Sequence, residues 1–271
     1  DLKDTTATTR IQKLLSKGDT SPIGTLKGPN GTITNTFVET LELLLKTHFP
    51  DCKSHDPSID NSLDMVTHHQ RRSTVSFVNK IINFERVEWA INSFKPFKSP
   101  GPDGIFPALL SKGTVELIRV MVKIFRASLI LEYIPKIWRK VKVIFIPKGG
   151  NKPPDSPKSF RPISLSSFML KTMEKLLEYH LREEVIFKKP LHKLQFAYQK
   201  GKSTVTALHT LVVNIEKALN QKEIALCSFM DIEGAFDNAN YKSMETALEK
   251  RGANPILTHW ISQMLNQRII K

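Results

Sequence analysis

A chain of 271 residues with 40% apolar content is long enough for one large or two modest domains around a real core. Forty Lys and Arg against 26 Asp and Glu leave a net charge of +14, too basic for an ordinary metabolic enzyme. The surplus is concentrated: Lys136 to Lys202 holds 16 Lys and Arg but 5 Asp and Glu, the electrostatic footprint expected for nucleic acid, though anionic membranes and plain solubility also tolerate it. Two cysteines, Cys52 and Cys227, exclude a disulfide framework and fit a reducing, intracellular compartment rather than secretion. Cys52-x-x-His55 and His68-His69 lack the paired ligands of a structural zinc site and read as surface residues. No run reaches the apolar length of a membrane span, and no signal peptide is visible. The first residue is Asp1 rather than Met, which reads as a piece of something longer.

In chain order, Leu26 to Ile33 carries an Asn30-Gly31 turn between apolar flanks, a small hairpin. Thr36-x-x-Glu39 is a capping box that opens a helix with Phe37, Leu41, Leu44 and Leu45 on one face, ending near Phe49-Pro50. Asp51 to about Thr74 is polar and reads as a loop. Phe84 to Phe94 is a short amphipathic helix, followed by Lys98-Ser99-Pro100-Gly101-Pro102-Asp103-Gly104-Ile105, where two Gly and two Pro force a tight turn. Val115 to Tyr133 reads as a buried helix, Lys142 to Lys148 as a strand with basic ends, and Leu165 to Ile186 as a helix of mixed apolar and charged residues. Gly201-Lys202-Ser203-Thr204 invites a phosphate-loop reading, but the required first glycine falls at Phe196 and no suitable strand precedes it. Ser203 or Thr204 instead caps a helix from Val205 to Leu219. Ile224 to Met230 is uncharged and of a length suited to a strand buried on both faces. It stops at Asp231, followed by Ile232, Glu233, Gly234, Ala235, Phe236 and Asp237. A strand-end carboxylate of this kind either caps the next turn or binds Mg²⁺, an ion that takes one or two protein carboxylates and leaves other positions to water and phosphate. Asp237 is placed to cap the helix Tyr241 to Arg251.

Four ordered motifs resemble the reverse transcriptases of non-LTR retrotransposons of the jockey type. They are the Lys98–Ile105 turn, the strand and loop leading to Arg161-Pro162-Ile163-Ser164-Leu165, the stretch from Gln195 through Gly201 and Ser203-Thr204 to Ala207-Leu208, and Asp231-Ile232-Glu233-Gly234-Ala235-Phe236-Asp237. The resemblance covers about residues 84 to 271. It implies an α/β (α+β) fold: right-hand polymerase fingers over 83–223, the first part of a palm over 224–271, and a mostly helical N-terminal extension over 1–82. On that resemblance Asp231 is catalytic and, with the carbonyl of Ile232, binds Mg²⁺ or Mn²⁺. Lys148 and Arg161 contact the incoming dNTP, and Phe236 is a steric gate beneath its sugar, or else a core aromatic. Gln195, Lys200, Lys202 and Ser203 touch the template. The implied partners are an RNA template and a DNA primer, with no membrane.

The second acidic motif of that family, an aromatic-x-Asp-Asp turn, is absent, since Asp237 is the last aspartate. A two-metal mechanism needs carboxylates from both motifs. The expectation is therefore a polymerase chain inactive in DNA synthesis by itself. The alternative is a non-catalytic RNA- or DNA-binding remnant that uses only its basic residues.

Overall fold

A helix that begins at a threonine cap centres the larger core. A computed structural model of the chain describes residues 23–50, 52, 72–149, 153–232, 234–235 and 239–270. The elements are α1 (Phe37–His48), α2 (Arg72–Ile81), α3 (Phe84–Asn92), α4 (Pro107–Ser111), α5 (Val115–Ile130), α6 (Lys136–Arg139), β1 (Lys140–Pro147), β2 (Phe160–Leu165), α7 (Phe168–His180), α8 (Thr204–Asn220), α9 (Tyr241–Lys250), α10 (Pro255–Asn266) and β3 (Ile269–Ile270). Thr114 Oγ1 accepts from the Leu117 amide and starts α5. Ile118, Met121, Val122, Phe125 and Leu129, at helical spacing, face inward. Around them lie Val78 and Ile81 of α2, Val87 and Ile91 of α3, Met173 and Leu177 of α7, and Leu257 and Trp260 of α10. The Trp260 indole donates to Ser128 Oγ at 3.0 Å, and that hydroxyl donates to the Tyr133 carbonyl at 2.6 Å. The buried polar atoms of this contact are thus satisfied. Each large side chain so buried contributes about 1.5–3 kcal/mol.

A smaller core lies behind the strands. β1 and β2 pair antiparallel, Ile144 opposite Ile163 and Ile146 opposite Arg161, and β3 adds in parallel to Lys140–Val141, giving the order β2-β1-β3. Leu26, Leu44, Phe145 and Phe160 meet there, with Leu41, Leu45, Phe49 and Val143 packed against them. The Thr36 cap holds the start of α1, accepting from the Glu39 amide at 3.2 Å, while Glu39 reaches back to the Asn35 amide at 2.7 Å. Lys27 and Ile33 bridge across the Asn30-Gly31 turn, and Gly31 takes a φ of 78° that glycine alone adopts freely.

Four local expectations change. Arg72–Thr74, read as loop, already belongs to α2, whereas 51 and 53–71 lie outside the described residues. The helix expected from Leu165 to Ile186 is α-helical from Phe168 to His180, then π-helical from Leu181 to Ile186. Asn240 caps α9 through the Ser243 amide, taking the place expected for Asp237, which lies outside the described residues. Ile224 to Met230 forms no strand: Ile224 is 96% exposed and Leu226 95%. An apolar run becomes a buried strand only when a neighbouring strand supplies its hydrogen bonds and a layer covers its faces. None of the described residues does either.

The Pro-Gly turn abuts the junction of β2 and α7. A Cβ on Gly101 would sit 2.6 Å from both the Ser166 carbonyl carbon and the Ser167 amide nitrogen, which are backbone atoms that cannot swing aside. Gly101→Ala is expected to destabilise the chain by about 1–3 kcal/mol in urea unfolding, as overpacking does. Gly24→Ala and Gly149→Ala meet nothing within 4 Å and should stay within about 0.5 kcal/mol.

Lys80 of α2 reaches Glu184 at 2.9 Å, and Lys188 adds a second contact at 3.0 Å. Hydrogen bonds from these two ammoniums, and their charge, pull the Glu184 carboxyl down to about 2. A depressed carboxylate contributes stability above its unfolded value of about 4.3 and loses it as pH falls toward the folded value. Carboxyl NMR should show Glu184 titrating near 2, and Lys80→Met should move that midpoint upward.

Candidate nucleotide and nucleic-acid site

Alternation along β1 and β2 sorts their side chains onto two faces. Val141, Val143 and Phe145 of β1, with Phe160 of β2, turn toward the smaller core or its margin. Ile144, Ile146, Ile163 and Arg161 occupy the opposite face, where Ile146 and Ile163 remain largely exposed. The ladder continues past Pro147, because the Lys148 amide donates to the Ser159 carbonyl at 2.7 Å. That register puts Lys148 diagonally across from Arg161 on the open face. The Lys148 ammonium donates to the Lys158 carbonyl at 2.6 Å, which fixes it over the loop between the strands. Arg161 is exposed, and its guanidinium makes no hydrogen bond or ion pair with another described residue. The strand pair therefore brings together the two cations expected to contact a triphosphate. A guanidinium binds phosphate in a two-pronged geometry, and an ammonium acts as a point charge.

The segment from Gln195 to Ser203 is organised from within. The Lys202 ammonium donates to the carbonyls of Lys193, at 2.5 Å, and Gln195, at 2.9 Å, and lies 5.0 Å above the Phe196 ring. Ser203 caps α8: its Oγ accepts from the Thr206 amide at 3.2 Å, while Thr206 Oγ1 accepts from the Ser203 amide at 2.8 Å. Gln195 also accepts from the Gln199 side chain at 2.6 Å. Of the four residues expected at the template, Lys200 alone is exposed without a hydrogen bond or ion pair to a described residue. Lys202 and Ser203 hold the loop and the helix start. The reversal at Gly201, with φ 76°, presents this segment.

Asp231 and Ile232 lie exposed in irregular backbone, Ile232 at 76%, and Phe236 lies outside the described residues. No hydrogen bond or ion pair among the described residues joins Asp231 to Lys148 or Arg161. Nor do any three His, Cys, Asp or Glu side chains among them converge to hold a metal ion. One exposed carboxylate could supply part of a Mg²⁺ shell, with water and phosphate oxygens filling the rest, but not a whole metal cage among the described residues. No described helix is long and apolar enough to cross a membrane.

Sequence reasoning overlooked a second junction. Arg268, just past α10, pairs with Glu174 of α7 at 3.0 Å. Burial raises the Glu174 carboxyl, opposed by the charges of Arg268 and Lys171. Burial likewise lowers Lys171, against the attraction of Glu174 and Asp103. The charged residues of α7 were legible, but the pairing of Glu174 with Arg268 is a tertiary contact with no local spacing to announce it.

Arg161→Ala is expected to leave stability within about 0.5 kcal/mol, as for an exposed side chain without partners. Lys202→Met, which strips two carbonyls of their donor, should cost about 1 kcal/mol and speed amide exchange across 193–203. Thermal unfolding and hydrogen exchange distinguish the two cations.

Residues 146–271 match the family model described as reverse transcriptase (RNA-dependent DNA polymerase). The chain is 34% identical over 171 residues to the probable RNA-directed DNA polymerase from transposon BS of Drosophila melanogaster, covering 63% of this chain and 19% of the relative. To the RNA-directed DNA polymerase from mobile element jockey of the same organism it is 28% identical over 229 residues, 82% of this chain and 24% of the relative. To the Pol polyprotein from type-1 retrotransposable element R2 of Popillia japonica it is 24% identical over 182 residues, 67% and 24% respectively. The chain thus spans about a fifth to a quarter of the length of these curated relatives. Reverse transcriptases as a family use a divalent metal and act on nucleic-acid templates, primers and nucleotides. This chain carries a reverse transcriptase domain, homologous to the RNA-directed DNA polymerases of non-LTR retrotransposons.

Proposed function

We propose that the chain supplies the fingers and the first part of the palm of an RNA-directed DNA polymerase that extends a DNA primer on an RNA template. The observation that carries this reading is the pairing of β1 with β2, which sets Lys148 and Arg161 on one open face. On that face the two cations bind the triphosphate of the incoming nucleotide and orient it, Arg161 through paired N–H groups and Lys148 through its charge. Lys200 and Gln195 are proposed to contact the template, and Phe236 the sugar. Asp231 with the Ile232 carbonyl would hold part of the shell of a Mg²⁺ or Mn²⁺ ion, which would supply charge neutralisation at the phosphates. The proposed organisation is an extension over 1–82, fingers over 83–223 and palm from 224.

The second reading, a nucleic-acid binder without chemistry, draws on one observation: Asp231 stands exposed with no second described carboxylate beside it. The same observation supports the expectation that the 271-residue chain alone makes no DNA.

Primer extension on an RNA template with Mg²⁺ tests these statements. The 271-residue chain is expected to give no product, and product from it would refute its inactivity. In a longer protein that is active, Asp231→Ala is expected to abolish extension while RNA affinity stays within about twofold. Arg161→Ala should raise the KM for dNTP by about tenfold or more, the loss of a charge-assisted hydrogen bond worth roughly 1.5–3 kcal/mol. Unchanged extension by the Asp231→Ala protein would favour the binder.

A further inference from the structure

Where α3 meets α7, side chains with no part in the polymerase reading form a groove of about 200 Å³, lined by Glu85, Arg86, Trp89, Leu176 and Tyr179. Trp89 is 45% exposed, whereas Trp138 and Trp260 are buried. Its ring meets Tyr179 edge-on, 5.3 Å between centroids. Two cations bracket these rings. The Arg86 guanidinium lies 5.0 Å from the Tyr179 centroid, and the Lys175 ammonium lies 5.4 Å from Trp89 and 5.2 Å from Phe94. Arg86 is fixed by donating to the Lys80 carbonyl at 2.7 Å. The acids of α7 flanking the groove are engaged elsewhere, Glu174 by Arg268 at 3.0 Å and Glu178 by Arg182 at 2.8 Å. Among the described residues neither Arg86 nor Lys175 has a carboxylate partner.

We propose that this groove binds single-stranded RNA, with one unpaired base stacked on the Trp89–Tyr179 pair and its phosphate between Arg86 and Lys175. An exposed ring interleaved with cations that lack a carboxylate partner matches both things that an unpaired nucleotide presents, a flat π-face and an anion. An acidic peptide would use the cations and leave the rings idle. Glu85 is the one carboxylate of the lining. It opposes phosphate but accepts from a 2′-hydroxyl, which favours ribose over deoxyribose. The inference rests on this surface chemistry and stands apart from the polymerase reading, since it needs neither Asp231 nor Arg161.

Trp138 and Trp260 are buried and shielded from a bound base, so they give a constant background and quenching by a stacked base reports on Trp89. Titration with a short oligouridylate is expected to quench it saturably. By anisotropy of labelled oligouridylate, Trp89→Ala should weaken binding at least about fivefold, while Trp89→Phe, which keeps a stacking ring, should retain most of it. Lys175→Gln should weaken binding and reduce the salt slope by about 0.7. Glu85→Ala should narrow the preference for oligouridylate over the matching deoxyoligonucleotide. Anisotropy that saturates without any fluorescence quenching would overturn the proposal. So would equal affinity of the Trp89→Ala and Trp89→Phe chains, or equal binding of the ribo- and deoxyoligonucleotides by the unaltered chain.

Discussion

The two-residue period of the β1–β2 ladder is the constraint on which the rest depends. One face of that ladder must be covered, because Phe145 and Phe160 need a dry neighbour, and Leu26 and Leu44 provide it. Burying that face commits the other to solvent, and with it Arg161 and Lys148. A slip of one residue would exchange the faces and drive a guanidinium into apolar packing. The apolar side of the strands, rather than any feature of the cations themselves, therefore decides where the cations point. Loop contacts lock the register from outside the ladder: His48 Nε2 lies 3.1 Å from the Pro157 carbonyl, and the Lys27 amide donates to the Asp155 carbonyl at 2.7 Å.

The elements whose cause is local were legible in the sequence. Thr36 and Ser203 cap the helices that their spacing announces, and Lys142 to Lys148 pairs with the Arg-Pro-Ile-Ser-Leu stretch. What escaped depends on partners distant in sequence. Ile224 to Met230 has the composition of a buried strand, but composition measures only a tendency to be covered. The turn from α-helical to π-helical winding at Leu181 changes the hydrogen-bond register without changing the apolar spacing, so no count of residues finds it. Trp89 was read into an amphipathic helix as one more residue. Its exposure follows from α3 turning Val87, Ala90 and Ile91 to the core and leaving position 89, between them in the chain, on the outer side.

The net charge of +14 likewise does not translate into a site of that strength. Several cations are consumed by the fold. Lys202 binds two carbonyls, Lys80 and Lys188 share Glu184, and Arg268 closes on Glu174. The charges of the Lys80, Lys188 and Arg268 pairs are already offset by carboxylates before a polyanion approaches, and Lys202 is held in place by its two carbonyls. Arg161, Lys200, Arg86 and Lys175 differ in kind, since no described carboxylate offsets them. A map of uncompensated cations is thus a better guide to nucleic-acid contact than the density of Lys and Arg along the chain.

The two halves of the candidate polymerase site consequently stand on different physical footings. Arg161 and Lys148 are set by a strand pair complete within the described residues, with its own covering helix. Asp231 follows an apolar run with Leu226 95% exposed and Met230 91% exposed, next to α8, which buries none of its side chains. Exposed apolar surface of that extent is costly in water at about 25 cal/mol per Å², and both α8 and 224–232 carry it. A carboxylate acquires a defined direction only when the backbone carrying it has paired, and the backbone of Asp231 is irregular and exposed where that of Arg161 is held in a ladder.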